Sequence, residues 1–155
     1  MKYKAIVRTK KKIAMTFTKL TLSAISALAL TPIALAGTLS FTIDGVEARG
    51  GDLYIGVQTE AQFMKDDGIE GTVIENPKAG SHTVTFDLPD GEYSVSVWHD
   101  DDGDGVFERT DTGMPKEGWA MINSASLRGA PTFDQIKISV TDAGASVSET
   151  MTYHD

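Results

Sequence analysis

Cysteine is absent from the 155 residues. No disulfide can hold the fold, and no thiolate can act as a nucleophile or a soft-metal ligand. Histidine is scarce too. His82, His99 and His154 are the only three and they are far apart, so the sequence shows no histidine cluster. It also shows no nucleophile elbow and no phosphate-binding glycine loop. These absences give no catalytic constellation, and the reading is of a protein that is not an enzyme. Positive charge is the third shortage. Seven of the fourteen Lys and Arg precede Gly37, and the seven that follow face all 22 acids, which gives residues 37–155 a formal charge of −15 against −8 for the whole chain. So acidic a surface repels nucleic acid and anionic membranes and suits a cation or a basic partner.

What is present begins with a leader. Lys2, Lys4, Arg8, Lys10, Lys11, Lys12 and Lys19 form a basic stretch with no acid among them. An apolar run from Leu20 to Leu35 follows, interrupted by Pro32, and closes on Ala34-Leu35-Ala36 before Gly37. A positive head, a short apolar middle and small residues at −3 and −1 make a secretory signal peptide, cleaved after residue 36. Met15 opens a second, shorter version of the same signal, with Lys19 as its charge. No later apolar run is long enough to span a bilayer, and no cysteine follows the leader to carry a lipid. The expectation is a periplasmic or secreted protein, not inserted in the membrane after cleavage, with one domain over residues 37–155.

That domain reads as all-β. Leu39, Phe41 and Ile43 alternate with polar neighbours, as do Leu53, Ile55 and Val57; Val84, Phe86 and Leu88; Tyr93, Val95 and Val97; and Ile136, Ile138 and Val140. Period-two alternation places one face of each strand inward. A more polar last strand over Ser146 to Tyr153 suits a sheet edge. Turn residues separate the runs: Asp44-Gly45, Gly50-Gly51, Asn76-Pro77, Pro89-Asp90-Gly91 and Asp142-Ala143-Gly144. Thr59 to Lys65 reads as one helical turn with Phe63 and Met64 inward, and Asp66 to Ser81 as the most loop-like stretch. Short strands with frequent turns imply an Ig-like or transthyretin-like two-sheet antiparallel sandwich of about seven strands. Leu88-Pro89-Asp90-Gly91-Glu92-Tyr93 has the form of a sandwich corner in which a tyrosine hydroxyl ties back to the backbone.

The segment richest in chemistry runs from His99 to Asp111. Counted from Asp100, carboxylates fall at positions 1, 3 and 5 (Asp100, Asp102, Asp104), glycine at 6 (Gly105), Glu108 at 9 and Asp111 at 12. That is the spacing of a calcium loop of the EF-hand type, with the Val106 carbonyl as the neutral oxygen at 7. Calcium is a hard cation that takes six to eight oxygens, and alternate carboxylates on a curled loop point inward together. A strand enters this loop and Gly113-Met114-Pro115 leaves it, so the loop stands between strands and not between helices. The plain alternative is a solvated acidic turn. His99, on the same face as Tyr93, Val95 and Val97, reads as a structural histidine supporting the loop, with a general base or a metal ligand as the sharper alternatives. Gly105 supports the turn and Trp119 packs beside it. Trp98 and Trp119 offer an aromatic surface to which a sugar could stack.

Residues 51 to 140 carry a run of motifs: Leu88-Pro-Asp-Gly-Glu-Tyr93, Val97-Trp-His-Asp100, the acidic loop, Gly113-Met-Pro-Lys-Glu-Gly-Trp119, Asn123 and Gly129-Ala-Pro-Thr-Phe133. In their order these resemble the exported bacterial family called domain of unknown function 2141. The resemblance implies an exported β-sandwich and brings no activity with it. Asp102 and Asp104 stand where that pattern has Asn, and Val106 where Lys is common, changes that make the loop more negative. Ala120-Met121-Ile122 and Ser124 also depart from the pattern after Trp119. The leading reading is an exported calcium-stabilised sandwich that serves as a binding or accessory module for a protein or glycan. The alternatives are a carbohydrate-binding module using Trp98 and Trp119, and a metal-dependent hydrolase using His99 with the loop carboxylates.

Overall fold

A computed structural model describes residues 36–65 and 68–154. The leader expected over residues 1–36 lies outside them, except for Ala36. Among the described residues no helix is long and apolar enough to cross a membrane.

The alternating runs become strands with the expected faces. β1 (Ala36–Val46) buries Leu39, Phe41 and Ile43 completely while Thr38, Ser40 and Thr42 turn away. β2 (Asp52–Gln58) buries Leu53, Ile55 and Val57. β3 (Glu70–Glu75) is exposed along nearly its whole length. β4 (Gly80–Pro89) buries Phe86 and Leu88, and β5 (Gly91–Asp100) buries Tyr93, Val95, Val97 and His99. β6 (Gly118–Met121), β7 (Lys137–Val140) and β8 (Ala145–Thr150) are short. Two sheets result. One has the order β4-β1-β8; the other runs β3-β2-β5-β6, with β7 also paired to β5. The apolar faces of both contribute to one core, from Phe41 and Leu39 on one side to Val57 and Val95 on the other.

β5 organises the larger sheet. One edge pairs with β2, placing Tyr54 opposite Trp98 and Leu53 opposite His99. The other edge is shared: β7 takes Gly91 to Ser94, and β6 takes Ser96 to His99. The corner before β5 is closed as its sequence predicts, with the Tyr93 hydroxyl donating to the Pro89 carbonyl at 2.8 Å.

The structure is a two-sheet sandwich, as the pattern implied, and it corrects several details. It is not wholly antiparallel, because β1 and β8 are parallel, with Phe41 opposite Val147. The stretch from Asp66 to Ser81 contains β3, where the sequence reading placed a loop. Its side chains do not alternate in burial, so it carries no amphipathic signal; it exists through its antiparallel ladder to β2. β6 was too short to show a period. Ile136 ends a one-turn helix, α1 (Phe133–Ile136), and is not a strand residue; the Gln135 side chain accepts the Thr132 N–H at 2.9 Å, and Phe133 and Ile136 face the core together. Phe63 packs edge-on against Phe133 with ring centroids 5.9 Å apart. Met64 does not turn inward: it sits at φ 59° and is 58% exposed.

After β8 the chain changes sheets. The Met151 N–H still bonds the Asp44 carbonyl of β1 at 2.8 Å, while Thr152 exchanges both backbone hydrogen bonds with Trp119 of β6. The C-terminal residues thus stitch one sheet to the other.

Core and edge should respond differently to truncation. Phe41→Ala removes a fully buried ring from the middle of β1 and is expected to cost about 3–5 kcal/mol, whereas Val73→Thr on exposed β3 should stay within about 0.5 kcal/mol. Urea unfolding of the two variants checks this.

Candidate metal centre

β5 ends on Asp100, which is buried at 3% exposure although it is a carboxylate. Its oxygens hold the following loop by its amides: Oδ1 accepts the Asp104 N–H at 3.1 Å and Oδ2 the Gly105 N–H at 3.0 Å. Asp102 Oδ1 accepts the Asp104 N–H as well, at 3.1 Å. Gly103 and Gly105 lie at φ 73° and 72°, the left-handed region that glycine enters without a Cβ penalty. The tight curl and the glycine at position 6 are therefore where the spacing placed them. Asp104 is turned to a different task, with its Oδ1 accepting the Val106 N–H at 2.7 Å.

Beyond Val106 the chain turns away from the base of the loop. It leaves as a small hairpin arm. The Lys116 N–H donates to the Glu108 carbonyl at 3.1 Å, Arg109 bridges Pro115, and the Thr110 N–H donates to the Met114 carbonyl at 2.8 Å. Gly113 turns the tip at φ 84°. Asp111 sits at that exposed tip, and Glu108 is exposed on one leg, where Lys116 pairs with it at 3.0 Å. The returning leg brings a different acid to the base of the loop. Glu117 is 6% exposed; its Oε2 accepts the Trp98 indole N–H at 2.7 Å and the Glu108 N–H at 3.3 Å. Its other oxygen, Oε1, is buried with no hydrogen-bond partner.

Asp100, Asp102 and Glu117 each present a carboxylate oxygen within 4.8 Å of the others. Of the six ligand positions that the spacing nominated, the structure brings Asp100 and Asp102 together and adds Glu117. Of the other acids, Asp104, Glu108 and Asp111 lie outside this cluster, and Val106 is exposed. Reading Gly113-Met114-Pro115 as the turn of a hairpin, and not as an exit, would have returned Glu117 to the loop. The basic side chains nearby are engaged elsewhere: Lys116 with Glu108, and Arg49 with Glu47 at 2.7 Å and Asp101 at 3.8 Å. Burial holds the Glu117 carboxyl above the ordinary range; the Trp98 and Glu108 N–H groups pull it down, and the charges of Asp100 and Asp102 push it up further. Three carboxylates so placed, one with a bare buried oxygen, are what a hard divalent cation takes as ligands.

His99 lies fully buried beside this cluster, with both ring nitrogens in use. Nε2 is 2.7 Å from the Gly50 carbonyl, which can only accept, so Nε2 carries the proton. Nδ1 then accepts from the Tyr153 hydroxyl at 2.8 Å, and that hydroxyl accepts the Glu47 N–H at 3.1 Å. Arg49 covers the Tyr153 ring at 4.6 Å. His99 therefore ties the C-terminal residues and the start of β2 to β5, and does not bond the acidic loop itself. Neither nitrogen is left for a substrate proton or a metal.

Trp98 and Trp119 sit opposite one another on the outer face of the sheet, both half-buried, in a row that continues to Tyr54 and Val73. Tyr54 stacks on Trp98 with centroids 5.0 Å apart and planes 23° apart, and Phe107 meets the same indole at 73°. Trp98 thus spends one face on Tyr54 and its N–H on Glu117. The Trp119 N–H is buried without a partner.

The Tyr153 hydroxyl serves two bonds, so Tyr153→Phe strands the buried His99 Nδ1. A loss of about 1–3 kcal/mol is expected, with an unchanged denaturant slope, in a urea titration followed by Trp fluorescence.

The family model described as an uncharacterised protein conserved in bacteria, domain of unknown function 2141, matches residues 41–148. No curated protein and no solved structure matched the chain. The matched span runs from within β1 to within β8 and takes in the acidic loop, the hairpin arm and Glu117. The chain belongs to the bacterial family of domain of unknown function 2141.

Proposed function

We propose that this protein is an exported, acidic β-sandwich that binds one calcium ion at Asp100, Asp102 and Glu117 and serves outside the cytoplasm as a binding or accessory module. The observation that carries the reading is the Glu117 Oε1 atom: a carboxylate oxygen, buried and without a partner, beside two further carboxylates. Burying such an oxygen with nothing to meet it costs several kcal/mol, and a cation removes that cost. An all-oxygen donor set with no histidine or cysteine suits calcium, whose flexible coordination also tolerates a loop of this kind; zinc prefers nitrogen and sulfur, and magnesium a strict octahedron. Export supports the same choice of ion, because the compartments that the leader addresses are richer in calcium than the cytoplasm.

The binding-module part rests on the outer face of the five-stranded sheet. Val73 is 46% exposed, Tyr54 37% and Phe107 36%; Tyr54 and Phe107 meet Trp98, and Val73 lies opposite Tyr54 on the next strand. Contiguous exposed apolar surface of this kind marks interaction sites. Catalysis has less support, since the one histidine near the cluster has both nitrogens committed.

Calorimetric titration of calcium into the purified protein should show one site. Glu117→Gln and Asp102→Asn are expected to weaken it at least tenfold, while Asp111→Asn leaves it unchanged. At free calcium about a hundred times the dissociation constant the folded state gains about 2.7 kcal/mol, equivalent to roughly 10 °C in melting temperature for a domain of this size. Absence of heat, or a larger loss in Asp111→Asn than in Glu117→Gln, overturns the assignment.

A further inference from the structure

Glu117 stands at a junction. The residue after it, Gly118, opens β6, the last strand on the β3-β2-β5-β6 path. With β6 paired to β5, the Glu117 carboxylate is buried beside Asp100 and Asp102. Its docking is otherwise well made: Ala120 is fully buried, Ile122 is 3% exposed, and the Ile122 N–H bonds the Val95 carbonyl at 3.3 Å. The closed position is also tight. A Cβ on Gly118 would stand 2.2 Å from the Tyr153 ring, so β6 and the C-terminal residues occupy their places together. Trp119 and Thr152 exchange both backbone hydrogen bonds, at 3.0 and 2.8 Å, and Tyr153 reaches on to His99 and Glu47. Packing and hydrogen bonds thus favour closure of this edge, and a buried carboxylate with one bare oxygen, beside two further carboxylates, opposes it.

We infer that the cation at Asp100, Asp102 and Glu117 closes β6 and the C-terminal residues onto the five-stranded sheet, so that this edge of the domain completes its folding only where divalent cation is present. The inference rests on the cation reading above and extends it from one loop to a cooperative unit. Without the ion, the segment from the hairpin arm through β6 opens, and residues 151–153 lose their partner at Trp119 and their fit against Gly118. With the ion, Glu117 is held at once by the cation and by the Trp98 and Glu108 N–H groups, and β6 follows because it begins one residue later. The sheet β4-β1-β8 meets this unit through the Met151 bond to Asp44, the Glu47 bond to Tyr153 and Glu149 of β8, whose side chain accepts the Asn123 N–H at 2.6 Å; its β1–β4 ladder has no part in these bonds and keeps its structure in both states. For a chain read as exported, the consequence is a domain that stays open on one edge during synthesis and closes after delivery.

Hydrogen exchange on the protein produced with its own leader and purified as processed tests this, read by mass spectrometry and NMR with calcium and with chelator. Calcium binding is measured separately by calorimetry on the same sample. At free calcium near a hundred times the dissociation constant, exchange at the Trp119, Ile122 and Thr152 amides should slow by up to ~100-fold, since their opening then requires loss of the ion. Amides of the β1–β4 ladder should change much less. Glu117→Gln keeps a side-chain oxygen for Trp98 and removes the charge, so its β6 amides should be protected without calcium and insensitive to it. If that variant folds poorly, Asp102→Asn, at an exposed position, should show partial protection in chelator. Calcium binding with slowed exchange confined to residues 101–117 overturns this inference and leaves the cation reading standing. Absence of calcium binding overturns both. Rapid β6 exchange in a folded Glu117→Gln protein overturns the inference alone.

Discussion

Burying the Glu117 carboxylate next to Asp100 and Asp102 is the constraint around which this end of the molecule is arranged. Three unit charges within 4.8 Å of one another repel by about 1 kcal/mol per pair in a water-like medium and about 3 kcal/mol at the dielectric typical near a protein surface. The bonds that oppose them are of ordinary strength. The two N–H bonds to Oε2 are charge-assisted and each contributes about twice a neutral bond, but they serve one oxygen only. The second oxygen, Oε1, has no such bond to set against the repulsion. Glu117 joins the parts of this end: it accepts the Trp98 indole N–H and the Glu108 N–H at the base of the hairpin arm, and it precedes β6 directly.

Asp100 plays a different part from Glu117 although both are buried acids. Its two oxygens are already taken up by the Asp104 and Gly105 amides. These bonds shape the loop by themselves, so it is organised by the strand from which it grows. Asp100 is the last residue of β5, the strand with partners along both edges. A ligand fixed there moves little. Asp102 is exposed and the Glu117 side chain arrives from the far end of an excursion, so those two are the adjustable members. The same geometry explains why Asp104 and Asp111 drop out despite their spacing. Asp104 is used locally to cap Val106, and Asp111 is carried to the tip of the arm by the hydrogen bonds between its legs.

What could be read from the sequence was local in each case. Leu39, Phe41 and Ile43, or Tyr93, Val95 and Val97, declare a strand and its inner face within five residues, and every one of them is buried. The Tyr93 corner and the glycines at Gly103 and Gly105 are local signals too. What was illegible depends on partners distant in sequence. β3 has no inward face of its own and is defined by β2. β8 lies parallel to β1 because the chain crosses from one sheet to the other before it, and its alternation is the same in either direction. Ile136 keeps the strand period by coincidence, since Phe133 and Ile136 also satisfy one turn of helix. Glu117 failed the loop template for a similar reason: the template counts along the chain, whereas the hairpin arm removes the intervening residues from the count and returns the acid through space.

His99 shows how the same principle decides chemistry. By alternation it belongs to the core face, and by composition it is the obvious base beside a carboxylate cluster. Only the fold reveals that Tyr153, near the other end of the chain, occupies Nδ1, and that Gly50 occupies Nε2. A histidine so held transmits position. It fixes Tyr153, which fills the space that Gly118 leaves open, which in turn sets the strand that begins next to Glu117. The acidic loop and the C-terminal residues are thus two ends of one packed unit, joined through β6. A charge at one end is felt at the other through contacts that are either all made or mostly lost. That cooperativity would give a cation bound as proposed leverage over a whole edge of the sandwich, and it arises from two residues, Glu117 and Gly118, that are neighbours in the chain.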